Sequence, residues 1–163
     1  MNSLDKVVGI AFIVLLMFFV PLQDSARKAD GISQAYISNE TMEFVNNVKN
    51  KGYITADMYK RFIYHIDKTN NLYDIQIVHS HRLIEPLINE NGTVEEHYTI
   101  RYFNTYQDEI LETFDEGNIY YFSQGDYINV SIKNRSKTLA DRITISSGRI
   151  LVTYGGMIRD EFK

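Results

Sequence analysis

Cysteine is absent from the 163 residues, so the chain has no disulfide framework, no thiol nucleophile and no cysteine-based zinc site. Proline is scarce, with two residues, against 12 tyrosines and 9 phenylalanines. That balance describes a packed, strand-containing body and not a disordered tail. Basic charge is also short: 17 Lys and Arg stand against 21 Asp and Glu, for a net charge of -4, where nucleic acid demands a basic stripe. Signatures of catalysis are missing too. Ser123 and Ser136 sit in turns without a G-x-S-x-G context, and no Lys-Ser/Thr pair follows Gly155-Gly156 as a phosphate loop requires. There is no internal repeat and no low-complexity tract. These absences give no support to nucleophilic catalysis, a phosphate loop or nucleic-acid binding, and the expectation is a non-enzymatic protein with no cofactor and no small-molecule substrate; an anchored hydrolase or metal-dependent enzyme is the lowest of three readings. A disulfide-free exported domain fits a bacterial surface.

What the sequence does have is Val7–Leu22, sixteen consecutive uncharged residues reading VVGIAFIVLLMFFVPL. As a helix this run spans about 24 Å, slightly under the ~30 Å hydrocarbon core of a bilayer. Lys6 extends the apolar length if its ammonium snorkels to the interface. No face of the helix is polar, so its solvent is lipid or other such helices. A cleaved signal peptide needs small neutral residues before the cut, and cleavage after Ala26 would place Asp24 at the third position back. A core helix of a soluble domain would be amphipathic. The run therefore reads as a membrane anchor. Basic residues flank it almost evenly, Lys6 and the amino terminus against Arg27 and Lys28, with a slight lean towards an outside N-terminus.

Helical character continues beyond the anchor. From Asp24 to Lys51 there is no proline, and Ala29, Ile32, Tyr36, Phe44 and Val48 recur at three- and four-residue spacing, widened by Ile37, Thr41 and Val45. Gly52 is the expected stop. Thr55 reads as the N-cap of a second helix with Met58, Tyr59, Phe62, Ile63 and Ile66 on one face. Leu72–Arg82 and Glu95–Phe103 alternate as strands, joined through Pro86 and the Asn89–Gly92 cluster. Asn104 or Thr105 is expected to cap a short acidic helix. Ile119–Phe122 and Tyr127–Lys133 read as a hairpin, residues 136–143 as a helical turn, and Ile150–Tyr154 as the closing strand before a bulge or turn at Gly155-Gly156. The fold class is α+β: a long N-terminal helix, transmembrane then amphipathic, packed on a small, mostly antiparallel sheet with short helices. Residues 1–23 form the anchor and residues 24–163 the head.

Chemistry-bearing candidates are few. His79-x-His81 puts two imidazoles on one strand face, so a zinc site with a third ligand such as Glu95 or Glu96 is conceivable. The simpler reading of strand histidines with polar neighbours is a solvated face, and no metal is assigned. Asp108, Glu109, Glu112, Asp115 and Glu116 lack the alternation of a calcium loop and read as an exposed acidic helix face.

The order of parts resembles the type IV pilin-like proteins, most closely the minor-pilin or pseudopilin-like proteins of tight-adherence type pilus systems in Firmicutes. The resemblance rests on the apolar helix beginning almost at the first residue, the acidic Asp5 just before it, Pro21 near its end, and the small α+β head behind residues 24–51. The runs FSQGDY (122–127) and YGGMIRDE (154–161) are similar to runs in uncharacterised pilus-locus proteins of that kind. The family's leader ends in glycine. Here Gly9 lies inside the apolar run, where a cut would remove Asp5, so either the chain is not processed in that way or a leader has been lost. The resemblance implies a structural subunit of a surface pilus or secretion-type assembly, anchored by one helix in the cell membrane with its head extracellular. Its implied partners are the bilayer and other pilin-like subunits, and its implied assembly residues are Asp5, Gly9 and Pro21. The alternative is a non-polymerising single-pass protein whose outer domain senses or binds a partner.

Overall fold

A computed structural model describes residues 3–88, 94–136, 138 and 150–159. It is an α+β fold. Helix α1 runs without interruption over Ser3–Lys51, 49 residues, or about 74 Å at about 1.5 Å per residue. Gly52 ends it as expected: its φ is +72° and its N–H returns to the Val48 carbonyl at 2.8 Å, a left-handed position where glycine has no Cβ to clash.

Strand β1 (Tyr53–Ile54) leads into helix α2 (Ala56–Asp67). Thr55 caps α2, its hydroxyl accepting from the Met58 N–H at 3.2 Å. Thr55→Ala is expected to lower the stability of the head by about 1 kcal/mol, read as a lower urea midpoint at unchanged slope. Strands β2 (Tyr73–Ile88), β3 (Val94–Tyr106), β5 (Tyr127–Asn134) and β6 (Leu151–Met157) form one antiparallel sheet in the order β3-β2-β5-β6. Helix α3 (Gln107–Asp115) follows β3, and β4 (Tyr120–Tyr121) pairs with β1.

The core lies between the C-terminal half of α1, the short helices and one sheet face. Ile37, Phe44, Val45 and Val48 of α1 meet Ile77, Ile128, Val130, Ile132 and Val152, with Phe62 and Ile66 of α2 and Ile110 of α3 closing the sides. Phe44 stacks on Phe62 with centroids 4.3 Å apart. Thr41 in this stripe is fully buried and returns its proton to the Ile37 carbonyl at 2.7 Å.

Several sequence expectations need correcting. Ile32 is 71% exposed: at 3.6 residues per turn it lies about 140° round the helix from Ile37, off the packed stripe. Neither Asn104 nor Thr105 caps α3, because β3 continues to Tyr106, which takes the cap position without a side-chain bond. The hairpin of 119–122 with 127–133 does not form. Both edges of β5 are occupied, by β2 and β6, so β4 pairs with β1 instead, Tyr53 opposite Tyr121 and Ile54 opposite Tyr120. Gly155 and Gly156 are neither bulge nor turn but ladder residues opposite Asn129 and Ile128. A Cβ on Gly156 would come within 2.8 Å of Lys49 Cε, and one on Gly155 within 2.7 Å of the Ile128 carbonyl. Gly156 leaves room for the Lys49 side chain of α1 against β6, and Gly155 for close pairing with β5. The turn expected over 136–143 and the Asn89–Gly92 connection fall outside the described residues, except for Ser136 and Thr138.

Strand β2 outlasts its neighbour β5, whose pairing stops at Ser80 opposite Tyr127. Beyond that point, among the described residues, β2 and β3 continue as a two-stranded ribbon, with Leu83, Ile84, Tyr98, Ile100, Tyr102 and Phe103 exposed. Pro86 is tolerated here because β2 has a neighbour on one side only, and a proline nitrogen facing the open side costs no ladder bond.

Candidate functional site

Two features of the molecule have functional chemistry. The first is the N-terminal part of α1. Every residue from Val7 to Leu22 is exposed, and this is the one described helix long and apolar enough to cross a membrane. Asp5 stands in its first turn, where the unpaired N–H groups favour a carboxylate. Gly9 lies inside the helix with open space around its Cα, and Pro21 is accommodated within it. From Asp5 to Pro21 is about 24 Å along the axis, so these three residues do not meet as one site within a single chain.

The second feature lies inside the head, and it overturns the solvated-face reading of His79. Strand alternation turns His79 and His81 to the same face of β2, opposite Thr105 and Phe103 of β3. On the core side His79 is completely buried against Phe122, centroids 4.3 Å apart, while the His81 ring lies 3.7 Å from that of His79 with its side chain 36% exposed. The side chains of Glu95, Glu96 and His97 fall outside the described residues, among which the cluster has a third member. It is Asp126, which a tight turn carries in from the start of β5. The turn closes through the Asp126 N–H to the Ser123 carbonyl at 3.1 Å and needs φ +90° at Gly125.

Asp126 is nearly inaccessible, yet each of its oxygens is satisfied. Oδ1 accepts from the Arg82 N–H at 2.8 Å; Oδ2 accepts from the Ser123 N–H at 2.9 Å and from His79 Nε2 at 2.8 Å. The His79 Nδ1 lies 2.8 Å from the Tyr120 hydroxyl, and His81 Nε2 lies 2.9 Å from Thr105 Oγ1. Thr105 also acts on Tyr120, drawing its phenol down against the effect of burial. The result is a polar chain inside the head, from His81 through Thr105, Tyr120 and His79 to Asp126. His81 Nδ1 comes back to within 3.8 Å of Asp126 Oδ2.

Burial decides the protonation states. It lowers His79 to about 4, with the neighbouring His81 acting in the same direction and the Asp126 carboxylate opposing. His79 is therefore neutral at pH 7. Because an ionised carboxylate only accepts, the single proton sits on Nε2 and Nδ1 accepts from Tyr120. Burial alone would raise Asp126, but the N–H groups of Arg82 and Ser123 and the His79 contact together hold it below the usual carboxylate value. Burial pushes the Tyr120 phenol up. Donor atoms of His79, His81 and Asp126 lie within 4.8 Å of one another, a histidine-histidine-carboxylate set.

The H-x-H spacing signalled the two imidazoles. Asp126 is 47 residues from His79 and reads in sequence as the end of a Gln-Gly-Asp turn. Tyr120 and Thr105 carry no signal beyond strand alternation. The acidic residues of α3 are exposed, as expected of a solvated face. A second histidine contact, His65 Nδ1 to Glu40 Oε2 at 2.8 Å, ties α2 to α1 away from this cluster. Compared with known protein families, curated proteins and solved structures, the chain matches none of them.

Proposed function

We propose that the chain is a pilin-like structural subunit, anchored in the cell membrane by residues 7–22 with its head outside, that assembles with similar subunits into a surface pilus or secretion-type filament. One observation carries the reading: a single unbroken helix is bare and apolar over its first half and forms the spine of an antiparallel α+β head over its second. Among the described residues the anchor half has no protein neighbour to cover it, so lipid covers it before assembly and identical helices cover it afterwards. Asp5 supplies register in this scheme. A carboxylate carried into a bundle of apolar helices is stable only when paired, and the amino terminus of a neighbouring subunit is the partner that the resemblance implies.

The absence of cysteine makes the test clean. Single cysteines placed by Val14→Cys, Leu15→Cys, Phe18→Cys or Phe19→Cys are expected to form disulfide-linked chains in native membranes carrying the assembly machinery. Yields should vary with the helical period around one face. Asp5→Ala should reduce this cross-linking to background with the head still folded and membrane-bound, and Asp5→Glu should preserve it. Uniform absence of cross-links at all four positions would leave the non-polymerising reading, to which the exposed aromatic ribbon of β2 and β3 would offer a partner surface.

A further inference from the structure

We propose that His79, His81 and Asp126 form a three-ligand site for a divalent transition-metal cation of the zinc type inside the head. The ligating atoms are His79 Nε2, His81 Nδ1 and Asp126 Oδ2. His79 Nε2 to Asp126 Oδ2 is 2.8 Å and His81 Nδ1 to Asp126 Oδ2 is 3.8 Å, and the donors of all three residues lie within 4.8 Å. Ligands bound tetrahedrally at about 2.0–2.1 Å are roughly 3.3 Å apart, so each histidine–Asp126 pair needs an adjustment of only about 0.5 Å, and the two imidazoles start within 4.8 Å of each other.

The outer contacts make this more than a chance meeting of donors. Metal-binding histidines are held by a partner on their second nitrogen, and ligating carboxylates are themselves hydrogen-bonded. Here each ligand has that support in place: Tyr120 on His79 Nδ1, Thr105 on His81 Nε2, and the Arg82 N–H on Asp126 Oδ1. The proton arithmetic closes as well. When Nε2 of His79 takes the metal, its proton moves to Nδ1 and donates to Tyr120 Oη. The phenol proton then turns to Thr105 Oγ1, whose two lone pairs accept from Tyr120 and from His81 Nε2–H. No proton is lost, and both imidazole N–H groups keep an acceptor. The partly exposed His81 ring gives the cation an entry path and leaves a fourth position for water. Two imidazoles with one carboxylate select zinc-type ions over magnesium and calcium, which prefer all-oxygen sites. Bound metal would pin the middle of β2 to the turn that opens β5, two segments 47 residues apart.

The test uses the full chain in detergent, free of any histidine tag and stripped with a chelator. Zn2+ is titrated against a chromophoric competitor, and bound metal is counted by elemental analysis. The expected result is one zinc per chain with a raised Tm, and no rise with Mg2+ or Ca2+. His81→Ala should weaken binding at least about a hundredfold and Thr105→Val about 10–100-fold, while His65→Ala, on the α1–α2 contact, should bind as wild type. Far-UV circular dichroism checks that each variant is folded. Should His81→Ala fail to fold, the visible spectrum of the Co2+-loaded wild-type chain decides: histidine-ligated tetrahedral bands support the site and their absence overturns it. Wild-type protein that takes up no zinc at about 10 µM free ion, or a folded His81→Ala variant that binds as tightly as wild type, also overturns it.

Discussion

A chain begun at Asp24 is expected to leave the membrane entirely and to remain in the supernatant as a folded monomer, whereas the full chain sediments with membranes. Twelve of the sixteen residues in Val7–Leu22 are Val, Leu, Ile or Phe. At about 0.3–0.6 kcal/mol each on the insertion scale, they supply about 4–7 kcal/mol towards the bilayer. None of that surface is used by the head, since every one of these residues is exposed. The head keeps its own share of α1: Ile37, Val45 and Val48 are inaccessible, and Phe44 nearly so. Carbonate-washed membranes followed by circular dichroism of the soluble fraction measure both halves of the result. Truncated protein that still pellets at the wild-type fraction would show that the head binds the membrane by itself. Soluble but unfolded protein would show that the first half of α1 is needed for the fold.

Asp126→Ala is expected to cost about 3–5 kcal/mol, among the largest losses open to a single polar residue. The change strands the buried Nε2–H of His79 and the part-buried N–H groups of Arg82 and Ser123; a donor left unpaired costs about 1–3 kcal/mol where it is buried, with incomplete additivity. The same cluster makes stability depend on pH in the chelator-treated protein. Unfolded, His79 takes up a proton near its ordinary value of 6.5; folded, it does so only near 4. Between those limits the unfolded chain binds more protons, so stability falls as the pH falls. The contribution of His79 is whole above about pH 6.5, declines by up to about 3 kcal/mol towards pH 4, and changes no further below that. Asp126, held below its ordinary 3.8, adds a further loss only at lower pH, as it too becomes protonated. The groups that face His79 and enter this balance are Asp126, His81, Tyr120 and, beyond Tyr120, Glu109. Urea midpoints taken from about pH 7.5 down to about 4.5 should trace the decline, and His79→Gln should flatten it. A wild-type midpoint that holds constant between about pH 7 and 5 would mean that His79 is not kept neutral by its surroundings.

Local rules made much of the architecture legible. Gly52 and Thr55 act at one position each, through a left-handed φ and a hydroxyl aimed at the Met58 N–H, so residue identity was enough to place both helix ends. The apolar run and the Ile37, Val45, Val48 stripe obey one period over many residues, which averages out single exceptions such as Ile32. What failed was long-range. Whether Tyr120 pairs with the strand after it or with Ile54, 66 positions earlier, depends on which edges of β5 are taken. No window along the chain contains that information. The histidine cluster shows the same divide. His79 and His81 announce a shared face by their spacing, but that this face is interior, and that Asp126 lies beneath it, follows from α1 and the β4–β5 turn closing over the sheet. A buried histidine and a solvated one look alike until the covering elements are placed.

The continuity of α1 makes the molecule a lever. From the end of the apolar run at Leu22 to Phe44, in the middle of the head's core, is about 33 Å of unbroken helix. The Gly31 between them lies within α1 and interrupts nothing. A helix that leans by about 20° from the membrane normal therefore carries the centre of the head sideways by about 11 Å, and a rotation of the anchor about its axis turns the whole sheet through the same angle. Whatever grips residues 7–22 thereby sets where the ribbon of β2 and β3 points. Between Leu22 and Phe44 the helix is continuous, so its two halves are joined without an intervening loop.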